Sequence, residues 1–514
     1  MSKNSGDNMR GIIKILCNVI IVTALVVFFD GCSWQVDHER LRNSTYSVLD
    51  SLLQHGNPLE QDRIINILKT IHTPRSHDML SNFMKEPGSL QINAAFALAV
   101  HRDSSVYDRI VAAVDTSNWL IQQNAIYSLR FFPIEKVSPV FERCLNDRSM
   151  QCRMSTIRTL NDLNDPSVLP LLQKATTDSL FEVQKTAVLA ILDLPGSVGI
   201  NYIKEQLGLP DKKRVTNLIL ILSAAPDSIA MPLLIPLVES QDMIFRRFLA
   251  ARLEIMNDTG SIGCLKTLIK DPDEIVRTRA LLSLIHLRAA DNTSEFIQIL
   301  KNPQAPLFWD ALRIAIELGD KEYYPVIKEL YESEKESKNK ILLGITLLRY
   351  NDTRAENLIN EMIQNQNMYN ILDYAFNAFM YVHNDLCIPF LIKASRIEHS
   401  LLRDRALKAL SSFENGETMD YFTRVSTEKS IIYQRHALEY FGNLAKKDKK
   451  EGIQFILNSF NHSNGFIRER TAFMSGELRL EKALKPLGEH LTDQEIFVRM
   501  ACAWATLNII EKTP

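Results

Sequence analysis

The chain has 514 residues, of which 46 % are hydrophobic and 23 % are charged, proportions that are typical of an ordinary folded protein. Its 59 basic and 61 acidic residues leave a net charge of −2. This balance argues against a main role in nucleic-acid binding, which normally needs a strong basic excess. The seven cysteines form no CxxC pair, so neither a zinc cluster nor a thioredoxin-like motif is indicated.

The first feature in chain order is a basic head followed by an apolar run. Lys3, Arg10 and Lys14 precede or open a nearly unbroken apolar run over residues 15–29, a pattern that is typical of an export signal. At 1.5 Å per residue this run covers about 22 Å of a hydrocarbon core that is about 30 Å thick. The length therefore favours a signal sequence over a permanent membrane span.

The end of this run resembles the lipobox of bacterial lipoproteins. Gly31 and Cys32 match the small residue and the acylated cysteine, whereas Phe29 and Asp30 depart from the usual leucine and small residue. We expect residues 1–31 to be a signal segment and Cys32 to carry lipid, and the alternative is an uncleaved signal anchor. Both interpretations predict a membrane-anchored protein of the bacterial cell envelope whose remainder lies outside the cytoplasm.

After a predicted tether and N-terminal helical cap (residues 32–75), the chain repeats a unit of about 31 residues. One small or apolar residue recurs in every unit, here called the reference position: Ala94, Ala125, Thr156, Ala187, Leu218, Leu249, Ala280, Ala311, Leu343, Ala375, Ala406, Ala437, Thr471 and Cys502. A second apolar column follows four residues later, as at Leu98, and a third precedes by about fifteen residues, as at Met79 and Ile110. A spacing of four places two columns on one helix face.

Each unit is therefore predicted to contain two helices, A and B, joined by a short polar turn. Such a unit cannot bury its apolar faces alone, so neighbouring units must stack. The sequence predicts an all-α fold, a right-handed α-solenoid of about fourteen two-helix repeats over residues 76–514.

The repeated phrase resembles the HEAT repeat, and more closely the short HEAT-like variety of phycobilin lyases. Residues 271–287 (DPDEIVRTRALLSLIHL) show its elements: an Asp in the A–B turn, then Val-Arg, then Ala and Leu. The turn aspartates are predicted to cap helix B; they include Asp147, Asp178, Asp271 and Asp493. The resemblance implies that the arginine three residues before the reference position pairs with acidic groups of adjoining units; this position holds Arg153, Arg246, Arg277, Arg403, Arg468 and Arg499, with Gln184 as a departure.

No pattern typical of a catalytic or metal site occurs in the sequence. GxSxG, HExxH, Walker and GxGxxG motifs are absent, and the eleven histidines are scattered. We therefore expect no enzymatic activity, no catalytic residue, no metal and no cofactor. Cys144 and Cys152 are placed to face each other across one turn, either as a disulfide or, as we favour, as buried free thiols.

The position just before the reference is polar in most units, so it is predicted to face solvent on the B-helix surface. Its later members include Arg279, Arg405, His436 and Arg470. We predict that these four residues bind an extended acidic or mixed protein partner, and the alternative is an ordinary solvated face.

Together these patterns predict an exported, membrane-tethered, protein-binding scaffold or an assembly subunit of the bacterial envelope, with protein partners and no nucleic acid. Related repeats supply two alternatives: chromophore handling, as in phycobilin lyases, and base removal, as in HEAT-like DNA glycosylases. The export signal argues against both, and the net charge of −2 also argues against the second.

Overall fold

The computed structural model describes residues 37–85, 90–209, 211–222, 224–256, 258–289 and 293–511. These residues form thirty α-helices, ten short 3-10 segments and no strand. Two helices, His38–His55 and Pro58–Thr70, precede fourteen A–B pairs. The pairs are Pro74–Lys85 and Gln91–Val100; Tyr107–Val114 and Trp119–Ser128; Ile134–Leu145 and Met150–Leu163; Leu169–Ala175 and Phe181–Asp193; Val198–Leu207 and Lys212–Leu222; Asp227–Leu234 and Met243–Met256; Ile262–Leu268 and Glu274–His286; Thr293–Lys301 and Phe308–Leu318; Tyr324–Ser333 and Ser337–Leu347; Glu356–Gln364 and Tyr369–Val382; Ile388–Ala394 and Ser400–Leu410; Gly416–Val425 and Ile431–Lys446; Lys450–Ser459 and Gly465–Glu477; Leu484–Glu489 and Ile496–Ile510. The predicted all-α solenoid is confirmed.

The predicted apolar columns form the core of these pairs. All fourteen reference positions are at most 5 % exposed. The third column is also buried, except that Leu80 takes the place predicted for Met79, which is half-buried. The first A helix therefore buries the position one residue later than the sequence predicts. Contacts divide the described residues into two compact units, one from the described parts up to residue 83 and from 441 onward, and one from those between 84 and 440.

An arginine ladder connects successive repeats within each compact unit. Arg468 donates from Nε and Nη2 to the carboxylate of Asp493 in the next repeat, at 2.8 and 2.7 Å. The same paired contact joins Arg153 to Asp178 and Arg246 to Asp271. Two parallel, charge-assisted hydrogen bonds hold both position and direction. The contact between successive repeats that the HEAT resemblance implied is therefore present at these three arginines.

Other arginines at the same position of the repeat donate only to the backbone of their own A–B turn. Arg277 donates to the backbone carbonyl of Asp271 at 2.7 Å, and Arg499 donates to that of Asp493 at 2.8 Å. Gln184 donates to the carbonyl of Asp178 at 2.6 Å. The carbonyl six residues earlier is thus the shared acceptor, and glutamine retains this bond without the ion pair.

The turn aspartates have a different role from the predicted cap. The side chains of Asp147 and Asp271 accept from the amides of Ser149 and Asp273, at 2.7 and 2.8 Å. Ser149 and Asp273 are themselves the residues that cap helix B. Asp178 and Asp493 likewise accept from the amide two residues on, at 2.9 Å in each case. Each aspartate therefore orders its turn, and those at 178, 271 and 493 also present the carboxylate to the preceding repeat. The predicted capping role is corrected.

The two N-terminal helices pack against the C-terminal B helix, Ile496–Ile510. Arg42 pairs with Glu511 at 2.8 Å and Arg63 pairs with Glu469 at 3.2 Å. The guanidinium of Arg63 also lies 3.9 Å above the ring of Phe497. These ion pairs join residues 469 and 406 positions apart, a contact that the repeat pattern does not indicate.

The predicted membrane-anchored location in the bacterial cell envelope is wrong. Among the helices of the described residues, none is both long enough and apolar enough to cross a membrane. The longest, His38–His55, has 18 residues and includes Glu39, Arg40 and Asp50. The predicted signal segment (residues 1–31) and the predicted lipid-bearing Cys32 lie outside the described residues.

Candidate binding surface of the B helices

The structure places three of the four predicted partner-binding residues beside carboxylates. Arg279 pairs with Glu254 on the preceding B helix at 2.5 Å. Arg405 pairs with Asp373, and Nε2 of His436 lies 2.7 Å from Asp404.

Solvent exposure also differs from the prediction within this set. His436 is buried, although its position was predicted to face solvent. Arg470 is exposed on the helix Gly465–Glu477. The basic column is therefore largely neutralised by acidic side chains of the same chain.

Arg279 belongs to a charged network that connects three successive B helices. Glu254, whose side chain is 4 % exposed, lies between Arg279 and Arg313 at 2.5 and 3.6 Å. Arg313 also pairs with Glu317 at 3.1 Å, and Glu317 lies 2.9 Å from His286. Burial raises the pKa of Glu254 and lowers the pKa of His286. Because positive and negative groups alternate, this network supports helix packing and offers little net charge to a partner.

An open cavity lies instead between two earlier B helices, Trp119–Ser128 and Met150–Leu163. Its volume is about 220 Å³. Trp119, Ile126 and Met154 supply apolar lining, whereas Gln123 and Arg158 supply polar groups. We call this cavity and its rim the Trp119 groove.

Local capping explains why Trp119 projects from the surface. Asn118 begins the helix by accepting from the amides of Leu120 and Ile121, at 3.1 and 3.3 Å. Trp119 is therefore the first helical residue, with no preceding turn to cover it, and it is 65 % exposed. Gln122 fixes the same helix to the preceding A helix by donating to the carbonyl of Val114 at 3.0 Å.

Arg158 carries an available positive charge at the rim of the Trp119 groove. It is exposed, and no carboxylate pairs with it in the part of the chain that the structure describes. Asp162, one helical turn later, is engaged by Arg130 at 2.7 Å. The guanidinium of Arg130 also lies 3.9 Å above the ring of Tyr127, which holds it beside Asp162.

Sequence reasoning did not single out Trp119 or Arg158. One available signal was an Asn helix cap followed at once by a large aromatic residue, because the first helical position is poorly covered. Metal binding has no candidate site: in the described ranges, no group of three or more His, Cys, Asp and Glu side chains is placed to hold an ion.

Comparison with known proteins adds no family assignment. No family model and no curated protein matches the chain. Solved structures with similar helical repeats include UNC-45 from Drosophila melanogaster, at 12 % identity over 91 % of this chain and 83 % of that one, with a TM-score of 0.31. A Kap95p structure with RanGDP matches at 11 % identity over 87 % and 76 %, with a TM-score of 0.36.

A third structure is the CpcE–CpcF complex of phycocyanin lyase from Nostoc sp. It matches at 15 % identity over 49 % of this chain and 92 % of that one, with a TM-score of 0.20. At TM-scores this low, none of the three likenesses supports an inference about function.

Proposed function

We propose that this chain is a protein-binding scaffold and that its partner binds at the Trp119 groove. The observation that carries the proposal is an open cavity whose rim combines a 65 % exposed tryptophan with an arginine that has no carboxylate partner among the described residues. Tryptophan and arginine are enriched among the few residues that dominate the binding energy of protein interfaces. No enzymatic step is assigned to the chain.

The size of the cavity favours a segment of a protein over a small-molecule cofactor. At about 220 Å³ it is smaller than the cavities of roughly 300–1,000 Å³ that hold drug-sized ligands. One apolar side chain of a partner fits against Ile126 and Met154. A neighbouring carboxylate of the same partner fits the guanidinium of Arg158, and the amide of Gln123 is available to backbone groups.

Charge around the groove supports an acidic partner segment. The helix Trp119–Ser128 contains no charged residue, as its sequence WLIQQNAIYS shows. No acidic side chain of that helix therefore competes for Arg158 or repels a carboxylate. Electrostatic complementarity of this kind mainly improves specificity and the association rate.

The test compares Trp119→Ala and Arg158→Glu with a matched control, Trp309→Ala. Trp309 is 46 % exposed on another B helix, so the control removes the same side chain elsewhere. Each tagged full-length variant is cross-linked in cells of the source organism, and captured proteins are quantified. A partner found with the wild type and Trp309→Ala is then purified, and its Kd is measured for each variant.

Truncation of a dominant interface residue costs about 2 kcal/mol or more, which corresponds to a Kd roughly 30-fold weaker. We expect this loss for Trp119→Ala and a loss that depends on salt for Arg158→Glu. If both variants keep every wild-type partner at the wild-type Kd while circular dichroism shows them folded, the groove is not the binding site. A titration with a bilin pigment tests chromophore handling separately, through a change in the pigment absorbance.

A further inference from the structure

Two cysteines flank the turn that joins the helices Ile134–Leu145 and Met150–Leu163. Cys144 lies in the last turn of the first helix, Cys152 lies in the first turn of the second, and both are buried free thiols. A hydrogen bond between the two thiols lowers the pKa of Cys144 and raises the pKa of Cys152.

Hydrogen bonds order the backbone at both ends of the connecting turn. The amide of Asp147 donates to the carbonyl of Cys144 at 3.2 Å. The amide of Cys152 donates to Oγ of Ser149 at 3.4 Å. Both cysteines therefore lie on ordered backbone, one at each end of the turn.

Other repeats show that these two positions belong to the A–B core. The positions lie eight residues apart, and elsewhere they hold buried apolar pairs: Ala175 with Val183, Leu268 with Val276, and Ala394 with Leu402. The repeat that contains Cys144 and Cys152 thus has two thiols where other repeats have hydrocarbon. Packing alone does not require sulfur at either position.

One of the two thiols borders a cavity, although both side chains are almost fully buried. Cys152 lines the Trp119 groove, which opens to solvent. The thiolate is the reactive form, and the lowered pKa of Cys144 favours that form at the neighbour of Cys152.

We infer that Cys144 and Cys152 form a reversible disulfide by exchange with a low-molecular-weight disulfide. One protein thiolate attacks a sulfur of the reagent, so that a mixed disulfide forms and one reagent thiolate leaves. The second protein thiolate then attacks the protein sulfur of that mixed disulfide, and the second reagent thiolate leaves. The protein loses two electrons and two protons, and the reagent disulfide gains them to become two molecules of thiol.

The test uses glutathione buffers of defined ratio, full-length protein and tryptic mapping without reduction. Trypsin cleaves after Arg143, Arg148 and Arg153, so the two cysteines fall in separate peptides, 144–148 and 149–153. Matched variants are Cys144→Ala and Cys152→Val, which install the residues that the next repeat has at these positions. Circular dichroism checks that each variant is folded.

In the wild type we expect peptides 144–148 and 149–153 to become linked, with a loss of two thiols, and a dithiol reductant to restore both. In each variant the linked pair should be absent, and the remaining cysteine should carry a glutathione adduct or stay free. The inference is overturned if wild-type Cys144 and Cys152 stay unlinked at the most oxidising ratio. It is also overturned if they carry only glutathione adducts or pair with other cysteines.

Discussion

The substitution Arg468→Gln separates the two contacts of a ladder arginine: the ion pair with the next repeat and the hydrogen bond to the carbonyl of its own turn. The side chains of Arg468 and Asp493 are 8 % and 6 % exposed, so the ion pair is buried. Arg468 also donates to the carbonyl of His462 at 2.8 Å, the bond that Gln184 retains in its own repeat. Removing one member of a buried ion pair costs about 3–5 kcal/mol, because the other charge stays buried without a partner. We expect Arg468→Gln to destabilise its repeat by about this amount.

Hydrogen exchange at the amides of the helix Gly465–Glu477 is the suitable assay. A long array of repeats does not unfold in a single two-state step, whereas exchange reports the free energy of opening each segment. A loss of about 3–5 kcal/mol corresponds to exchange that is faster by roughly two to three and a half orders of magnitude. The matched control is Arg499→Gln, because Arg499 donates to a backbone carbonyl at 2.8 Å and pairs with no carboxylate of the described residues. An acceleration by Arg468→Gln no greater than that by Arg499→Gln would refute the role of the buried ion pair.

The effect of Arg468→Gln should depend on pH. Burial opposes ionisation of Asp493, but hydrogen bonds and the charge of Arg468 together lower its pKa in the folded chain. A carboxyl group with a lowered folded pKa contributes stability above its unfolded pKa, about 3.9, and loses it as pH falls through the folded pKa. The difference between wild type and Arg468→Gln should therefore be full near neutral pH and shrink below about pH 4. A constant difference between pH 7 and pH 3 would contradict the ion-pair explanation.

Three further variants test the other charged and packed positions. Arg405→Ala combined with Arg470→Ala should change the free energy of unfolding by no more than about 1 kcal/mol, since both side chains are exposed. If the predicted basic column binds the partner, less partner is captured by cross-linking. Unchanged capture shows that the column is an ordinary solvated face. Arg279→Ala should destabilise the chain by about 2–4 kcal/mol in denaturant titration, because buried Glu254 loses its nearer counter-charge. Gly476→Ala should cost about 1–3 kcal/mol by overpacking, since an added Cβ would lie 2.5 Å from an aromatic carbon of the last B helix; an unchanged melting temperature would show that the helices separate easily.

Most of the fold could be predicted from one sequence because the same burial pattern recurs in all fourteen repeats. The apolar columns at Ala280 and Leu284 have buried equivalents in other repeats, so the amino-acid pattern alone locates the A–B pairs. The slip from Met79 to Leu80 occurs in the first repeat, where one side has no preceding B helix to set the register. Packing of the N-terminal helices on Ile496–Ile510 could not be predicted, because it belongs to no repeat.

The binding surface was harder to predict because a column of like charges says nothing about counter-charges. The structure shows two recurring offsets between paired groups. Ladder pairs such as Arg153 and Asp178 lie 25 positions apart, and surface pairs such as Arg405 and Asp373 lie 32 positions apart. Both offsets reflect the repeat length of about 31 residues, because a step of one repeat brings neighbouring B helices side by side. An acidic residue at either offset is therefore a candidate internal partner for an arginine.

Applied to Arg158, the two offsets distinguish a binding residue from a structural one. The positions 25 and 32 residues before it are Pro133 and Ile126, and those after it are Val183 and Ala190. None has a side chain that can neutralise a guanidinium, so the repeat supplies no internal partner at these offsets. By the same rule Arg279 is structural, because the position 25 residues earlier is an acid that the structure shows in contact with it. Arg158 is thus a positive charge without an internal partner at these offsets, next to an exposed tryptophan and an open cavity, and we propose that a carboxylate of the partner pairs with it.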